Sequence, residues 1–384
     1  MTQQSSAKIY ALSAMACALI AWNYWIPTFL YSPSAVRYGS GFPDFNLFYL
    51  AGHAILTHTE ITRFIYPPPS IPFYEFFALF NIDLASWLWM MTYLIVFIAA
   101  VAGLALTIGG VRRAYFVSLT GVLAFTSFPL LIMMNLGQVD LLVASLSILS
   151  LAMQRLEHEN ASAILLSCAT LLKGPPLLLL IYFSLYRKDL RYFLRFIVVT
   201  IVIVAASLIV VPLNIYARYF GTVAPKVSVV SPSSLNQSLL SYTSSTLFSA
   251  VVIIAGVIVL SVFTLWVTSK KFRMTVTDPL RDDGMFLLNV LVILLLSPRT
   301  WPGTYVWIIL PVALFLSNLL QGKVKILYLT AVCFDTVLLN ANLSQLFLQF
   351  STYDILPLAI SGNIMLTLIL ALSLLRPSVA HTKE

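Results

Sequence analysis

Three charged residues, Asp44, Lys173 and Arg299, sit in settings where their side chains could do chemistry. Asp44 lies in Gly41-Phe42-Pro43-Asp44-Phe45, just ahead of apolar residues at 45, 48, 49, 52, 55 and 56 that follow helical spacing. A carboxylate there can cap the helix by accepting backbone N–H bonds, and the same setting holds it ionised and fixed, as a general base must be. Lys173, in Leu171-Leu172-Lys173-Gly174-Pro175-Pro176, and Arg299, in Ser297-Pro298-Arg299-Thr300-Trp301, each stand at the end of an apolar run. Together they can hold a phosphate, Arg299 through two parallel bonds. Further polar candidates are Tyr66, ahead of Pro67-Pro68-Pro69, Gln138 in Asn135-Leu136-Gly137-Gln138-Val139-Asp140, and Asn236 and Gln237 in Ser234-Leu235-Asn236-Gln237-Ser238-Leu239. Helix ends alone would also account for several of these polar groups. The prolines predict a stiff polyproline II segment over Phe64 to Pro69 with Tyr66 extended. The aromatic residues around it, Phe73, Tyr74, Phe76 and Phe77, suit lipid chains and sugar rings as well as plain membrane anchoring.

The elements that must position these residues follow from composition. Of 384 residues, 60% are hydrophobic and 9% charged, against roughly 45–50% and about 25% in soluble domains. A water-soluble globular protein is excluded. The chain reads as a single integral membrane domain over 1–384, all-α and polytopic. Apolar runs fall at about 9–30, 85–108, 114–134, 139–154, 161–172, 175–186, 196–212, 249–268, 285–297, 306–320, 326–343 and 355–375, which predicts about 12 transmembrane helices. The first is kept as a retained helix, because its apolar stretch exceeds a signal-peptide core and no clear cleavage site follows it. The largest connecting segments are 31–84, where interfacial helices are expected around Asp44, and 213–248.

Orientation comes from the cations. With the N-terminus in the cytoplasm, only Arg37, Arg63, Lys173, Arg218, Lys226 and Arg299 of the 22 Lys and Arg fall on the opposite face, a strong bias of the expected sign. Both termini are then cytoplasmic, in a multi-pass protein of the plasma (inner) membrane. Asp44, Glu60, Glu75, Asp83, Asp140 and Asp354 gather on the outer face, which predicts a polar cavity opening outward. The runs 161–172 and 175–186 cover only about 18 Å each, so Lys173 between them should lie below the outer surface. At that depth a lysine must line a wet cavity or meet an anion.

Neither metal nor cofactor is expected. Cys17, Cys168 and Cys333 lie in apolar runs without ligand spacing, the four histidines form no i, i+4 pair, and there is neither an Asp-x-Asp triplet nor a glycine-rich phosphate loop. The net charge of +8 is a topological signal in such a chain and predicts no nucleic-acid partner.

The order Asp44, Phe48-Tyr49-x-Ala51-Gly52, Tyr66-Pro67-Pro68-Pro69, Gly137-Gln138, Leu172-Lys173-Gly174-Pro175, Asn236-Gln237-Ser238-Leu239 and Ser297-Pro298-x-x-Trp301 resembles glycosyltransferase family 87 over about residues 40–320. The resemblance implies a GT-C-like fold and an inverting transfer of a sugar, mannose favoured, from a polyprenyl-phosphate donor to a lipid or glycan acceptor hydroxyl on the extracytoplasmic side. It implies Asp44 as catalytic base and Lys173 near the lipid phosphate. Arg299, Tyr66, Gln138, Asn236, Gln237 and Trp301 complete the substrate-binding candidates, and membrane lipids are the surrounding partners. One departure stands out: many relatives carry histidines just after the tryptophan matching Trp301, where this chain reads Pro302-Gly303-Thr304-Tyr305. Two other readings stay open. A transporter or flippase of lipid or lipid-linked sugar would use intramembrane polar groups such as Asp335, and a relative without catalysis would only bind lipid.

Overall fold

A computed structural model describes residues 42–61, 64–225, 246–269, 279–297, 300 and 302–321, with isolated positions at 10, 15, 364 and 367–370. All regular structure among them is helical. In chain order the helices are α1 (Pro43–Leu56), α2 (Ile71–Ala78), α3 (Ile82–Leu106), α4 (Gly110–Thr126), α5 (Phe128–Leu136), α6 (Asp140–Arg155), α7 (Glu159–Leu172), α8 (Leu190–Ser207), α9 (Leu213–Arg218), α10 (Thr246–Val267), α11 (Pro279–Leu296) and α12 (Ile309–Gln321).

Apolar residues line two kinds of surface. On α3, Leu84, Trp87, Met91, Ile95 and Ile98 are exposed at three- and four-residue spacing, and α8 shows the same along Leu190, Leu194, Ile197 and Ile201. Stripes this apolar face lipid rather than water. In contrast, α11 and α12 are buried nearly all round and form the centre of the bundle. Among the described residues, three helices are long and apolar enough to cross a membrane, namely Ile82–Leu106, Leu190–Ser207 and Gly303–Gln321. Of the twelve expected runs, 326–343 lies outside the described residues, as do nearly all of 9–30 and 355–375.

Two runs break inside. The stretch read as one crossing at 114–134 is α4 and α5, bent by 63°. Pro129 in the first turn of α5 cannot continue a helix, and the Ser127 hydroxyl accepts from the Leu130 amide at 3.1 Å to restart one. Likewise, α7 ends at Lys173, whose extended backbone leads into a 3-10 turn at Pro175–Leu178 and a π-helical turn at Ile181–Tyr186. Of the expected polyproline II segment, Pro67 has extended backbone, Tyr66 lies at a bend, and Pro68–Ser70 closes a 3-10 turn running into α2. Proline is tolerated there, since the first turn of a helix leaves its N–H groups unpaired anyway.

The positioning core is α6, packed between α3 and α7. Helices α6 and α7 form a hairpin of 16 and 14 residues with a three-residue connection, so Asp140 at the start returns to Lys173 at the end. Buried hydroxyls join the hairpin to α8, with Ser150 and Ser162 both within 3.2 Å of the Tyr192 hydroxyl. Such bonds spare polar groups the cost of burial in an apolar bundle.

Candidate functional site

Helix α1 begins at Pro43, so its N-cap is Phe42 and Asp44 stands inside the first turn. Capping by Asp44, which its place ahead of the apolar series suggests, is not what forms. Proline takes the first helical position because its fixed φ suits it, and this puts the cap two residues upstream of the acid. The Asp44 carboxylate instead accepts a hydrogen bond from the side-chain amide of Gln138, whose carbonyl in turn accepts from the Tyr66 hydroxyl at 3.2 Å. Three sequence candidates, separated by up to 94 positions, therefore meet in one chain of hydrogen bonds.

Local backbone chemistry makes this contact possible. Gly137 closes α5 in the left-handed region at φ +69°, which turns the chain so that Gln138 reaches Asp44. A Cβ on Gly137 would lie 2.6 Å from that of Phe42 and 2.8 Å from that of Phe45. The Gly137 carbonyl also accepts from the buried Trp89 indole at 2.9 Å. Phe45 stacks on Trp89, and Phe48 stacks on Tyr74 while meeting Tyr66 edge-on, so aromatic packing fixes the floor under Asp44 and Tyr66. Gly52 lets α1 approach the backbone of α2, since its Cβ would lie 2.6 Å from Tyr74 main-chain atoms.

A second polar unit starts two residues after Gln138. Asp140 opens α6, where the helix dipole favours negative charge, and both its oxygens accept from the Lys173 ammonium at 2.6 and 2.7 Å. The Trp307 indole donates to the same carboxylate at 3.2 Å. Lys173 thus meets an anion, and that anion belongs to the protein. Asp140 and Trp307 were not singled out from sequence. The similar lengths of the two hairpin helices would have pointed to the first, and an indole N–H needing a partner inside an apolar run to the second.

The two acids differ electrostatically. Burial pushes the Asp44 carboxyl above its ordinary range, the Gln138 bond pulls it back, the Asp140 charge raises it and Lys173 lowers it. Asp44 has a neutral amide as partner where Asp140 has a cation. Of the two, Asp44 has the lone pairs less committed to partners. Of the remaining candidates, Asn236, Gln237, Arg299 and Trp301 lie outside the described residues, as does Asp335. The flanking turn Pro302–Ile308 packs against α5 and α6 and carries Trp307 to Asp140.

At the opposite end of α6, about 22 Å away at 1.5 Å per residue, lies a second charged cluster. Arg155 bonds Asp282 at 2.7 Å and Asp283 at 2.6 Å, Arg187 bonds Asp282 at 3.0 Å, and Arg112 and Asn318 bond Asp283. Tyr182 donates to Asp282 at 2.7 Å. Residues assigned from charge bias to opposite faces gather at opposite ends of one helix.

Among the described residues, helices with apolar outer stripes and a half-buried carboxylate held by hydrogen bonds define a helical membrane protein. The family model of glycosyltransferase family 87 matches residues 64–298, and the chain belongs to that family. It is therefore a glycosyltransferase. Tyr66, Gln138, Asp140 and Lys173 fall within the matched span, while Asp44 and α1 precede it and rest on the geometry. No curated protein matches the chain.

Proposed function

We propose that the protein transfers a sugar, mannose favoured, from a polyprenyl-phosphate donor to the hydroxyl of a lipid or glycan acceptor, with inversion, on the extracytoplasmic side of the plasma membrane. The observation that carries this reading is the Asp44 carboxylate, held by the neutral amide of Gln138 beside a lysine-bearing acid.

A glycosyl phosphate has a stable leaving group, so the paired carboxylates of glycoside hydrolysis are not required. Asp44 removes the proton from the acceptor hydroxyl as its oxygen attacks the anomeric carbon, and the C–O bond to phosphate breaks on the opposite face. Gln138 orients the carboxylate, and Tyr66 fixes the orientation of Gln138. The raised affinity of Asp44 for protons makes it a stronger base than an exposed aspartate. Lys173 remains paired to Asp140 and contributes field and donor geometry toward the departing phosphate, with Arg299 as its second cation. Asn236, Gln237 and Trp301 complete the binding set.

Charge bias supports the side of action. Asp44, Asp140 and Lys173 lie at the end opposite the Arg112, Arg155 and Arg187 cluster, which belongs to the cation-rich face. Nucleotide-sugars stay in the cytoplasm, whereas a lipid-linked sugar can present its head group on the other leaflet. The test is transfer by purified protein from labelled polyprenyl-phosphate sugars and from nucleotide-sugars to a lipid extract of the native host. Transfer from a polyprenyl-phosphate sugar with an inverted anomeric linkage is expected. Transfer from nucleotide-sugars alone, or retained configuration, contradicts the reading.

A further inference from the structure

A cavity of about 480 Å³, within the size range of small-molecule sites, lies beside the Asp44 recess and takes no part in the mechanism above. It opens between the C-terminal half of α1 with the segment after it and the stretch from Val210 to Val223, so it joins the first outer loop to the start of the second. A small apolar cluster of Ile71, Val211 and Tyr216, with Ile55, Ile61 and Phe64 packed against it, ties those elements together. Arg218 locks them from above, donating to the Ile61 carbonyl at 2.6 Å and to Glu60 at 3.2 Å.

Its lining is apolar over much of its extent, with Ile55, Ile61, Val210 and Ile215 beside the rings of Phe64, Tyr66 and Tyr219, and it carries a carboxylate, an amide and a guanidinium from Glu60, Asn214 and Arg218. Rings present faces to C–H surfaces, while the polar groups supply both donors and acceptors for hydroxyls. A hydroxyl-bearing ligand can hydrogen-bond Asn214 and the Glu60–Arg218 pair, whereas an isoprenoid chain filling the cavity would cover those groups without replacing their bonds to water. Tyr66 is the shared wall, lining the cavity while its hydroxyl donates to Gln138. Neither Lys173 nor Asp140 lines it, so the cavity lies away from the cation that faces the donor phosphate.

We infer that this cavity is an acceptor subsite for a hydroxyl-rich sugar or polyol portion of the acceptor, remote from the reacting hydroxyl, which rests on the transferase reading proposed above. Binding energy gathered there positions the reacting hydroxyl at Asp44. Occupancy would also press on Tyr66 and so steady Gln138.

The test has two arms. Saturation-transfer NMR on the full chain, in a detergent without sugar head groups, uses methyl α-mannoside and myo-inositol as probes, with Asn214→Ala and Tyr219→Ala as variants and farnesol as a competitor. The expected result is saturation transfer to at least one polyol in wild type, weakened about tenfold by either variant, the loss of one good contact, and insensitive to farnesol. No transfer to either probe, equal signals in both folded variants, or displacement by farnesol overturns the proposal. In the second arm, either variant raises the acceptor KM about tenfold and leaves the donor KM unchanged. A rise confined to the donor KM overturns it. Should wild type transfer no sugar, the donor reading fails, and the NMR arm still decides the cavity.

Discussion

At the Arg155 end of α6, each carboxylate oxygen of Asp282 and Asp283 is answered by an arginine, an amide or a phenol, whereas at the Asp140 end Asp44 accepts one hydrogen bond among the described residues, from a neutral amide. Asp140, two residues from that amide, resembles the first group more than its neighbour, since Lys173 and Trp307 take up its oxygens. Charges that answer each other fully hold helices together and have little left for substrate. The acid left with a weaker partner keeps lone pairs for a proton. The same residue type thus serves architecture at one end and, in the mechanism proposed above, chemistry at the other, and the partners make the difference.

Breaking the saturated end should cost the most. Asp283→Ala leaves Arg112 and Arg155 buried without their common anion, a loss of about 3–5 kcal/mol that should appear as a large drop in melting temperature in detergent, with transfer lost only because the fold is lost. Lys173→Met strands the buried Asp140 in the same way, at about 3 kcal/mol. The Trp307 bond persists, so melting should fall less than for Asp283→Ala while transfer falls with it. Gly137→Ala forces a side chain into the left-handed region and against Phe42 and Phe45, at about 1–2 kcal/mol for the backbone alone. Its signature should be transfer depressed beyond the modest loss of stability, because Gln138 is displaced.

The smallest effect sharpens the comparison most. The Gln138 bond lowers the pKa of Asp44, so Gln138→Leu must raise it further. The base must be ionised to work, so the rising limb of the pH–activity profile should move to higher pH in this variant. Activity well above that limb should recover toward wild type, and an unmoved limb would show that another group titrates.

Rarity made most of the described site legible: in a chain with 14 acids, a carboxylate beside a helix start and a lysine between two short apolar runs both stand out. Helix α1 follows the apolar spacing read for it, and the break at Lys173 falls where the short runs meet. Pairing was harder to read, because nothing near Asp140 in sequence points to Lys173, and only the hairpin of α6 and α7 brings them together. The cap at Asp44 went to Phe42 because Pro43 competes for the first helical position, a signal one residue away from the acid. The bend at Ser127 was hidden within a long apolar run, although Pro129 marked it.

Asp44→Asn measures the central claim most directly, by transfer and by melting on the same preparation. The asparagine side-chain oxygen can still accept from Gln138, so the recess should keep its shape. A carboxyl whose folded pKa lies above its unfolded value favours folding at acid pH and opposes it once pH exceeds the folded pKa, so the neutral amide should leave melting at neutral pH unchanged or slightly raised. Transfer should fall by about 10²–10⁴-fold, the span of a lost general base. Equal transfer by both proteins, or a loss of transfer matched by a fall in melting, would contradict a catalytic Asp44.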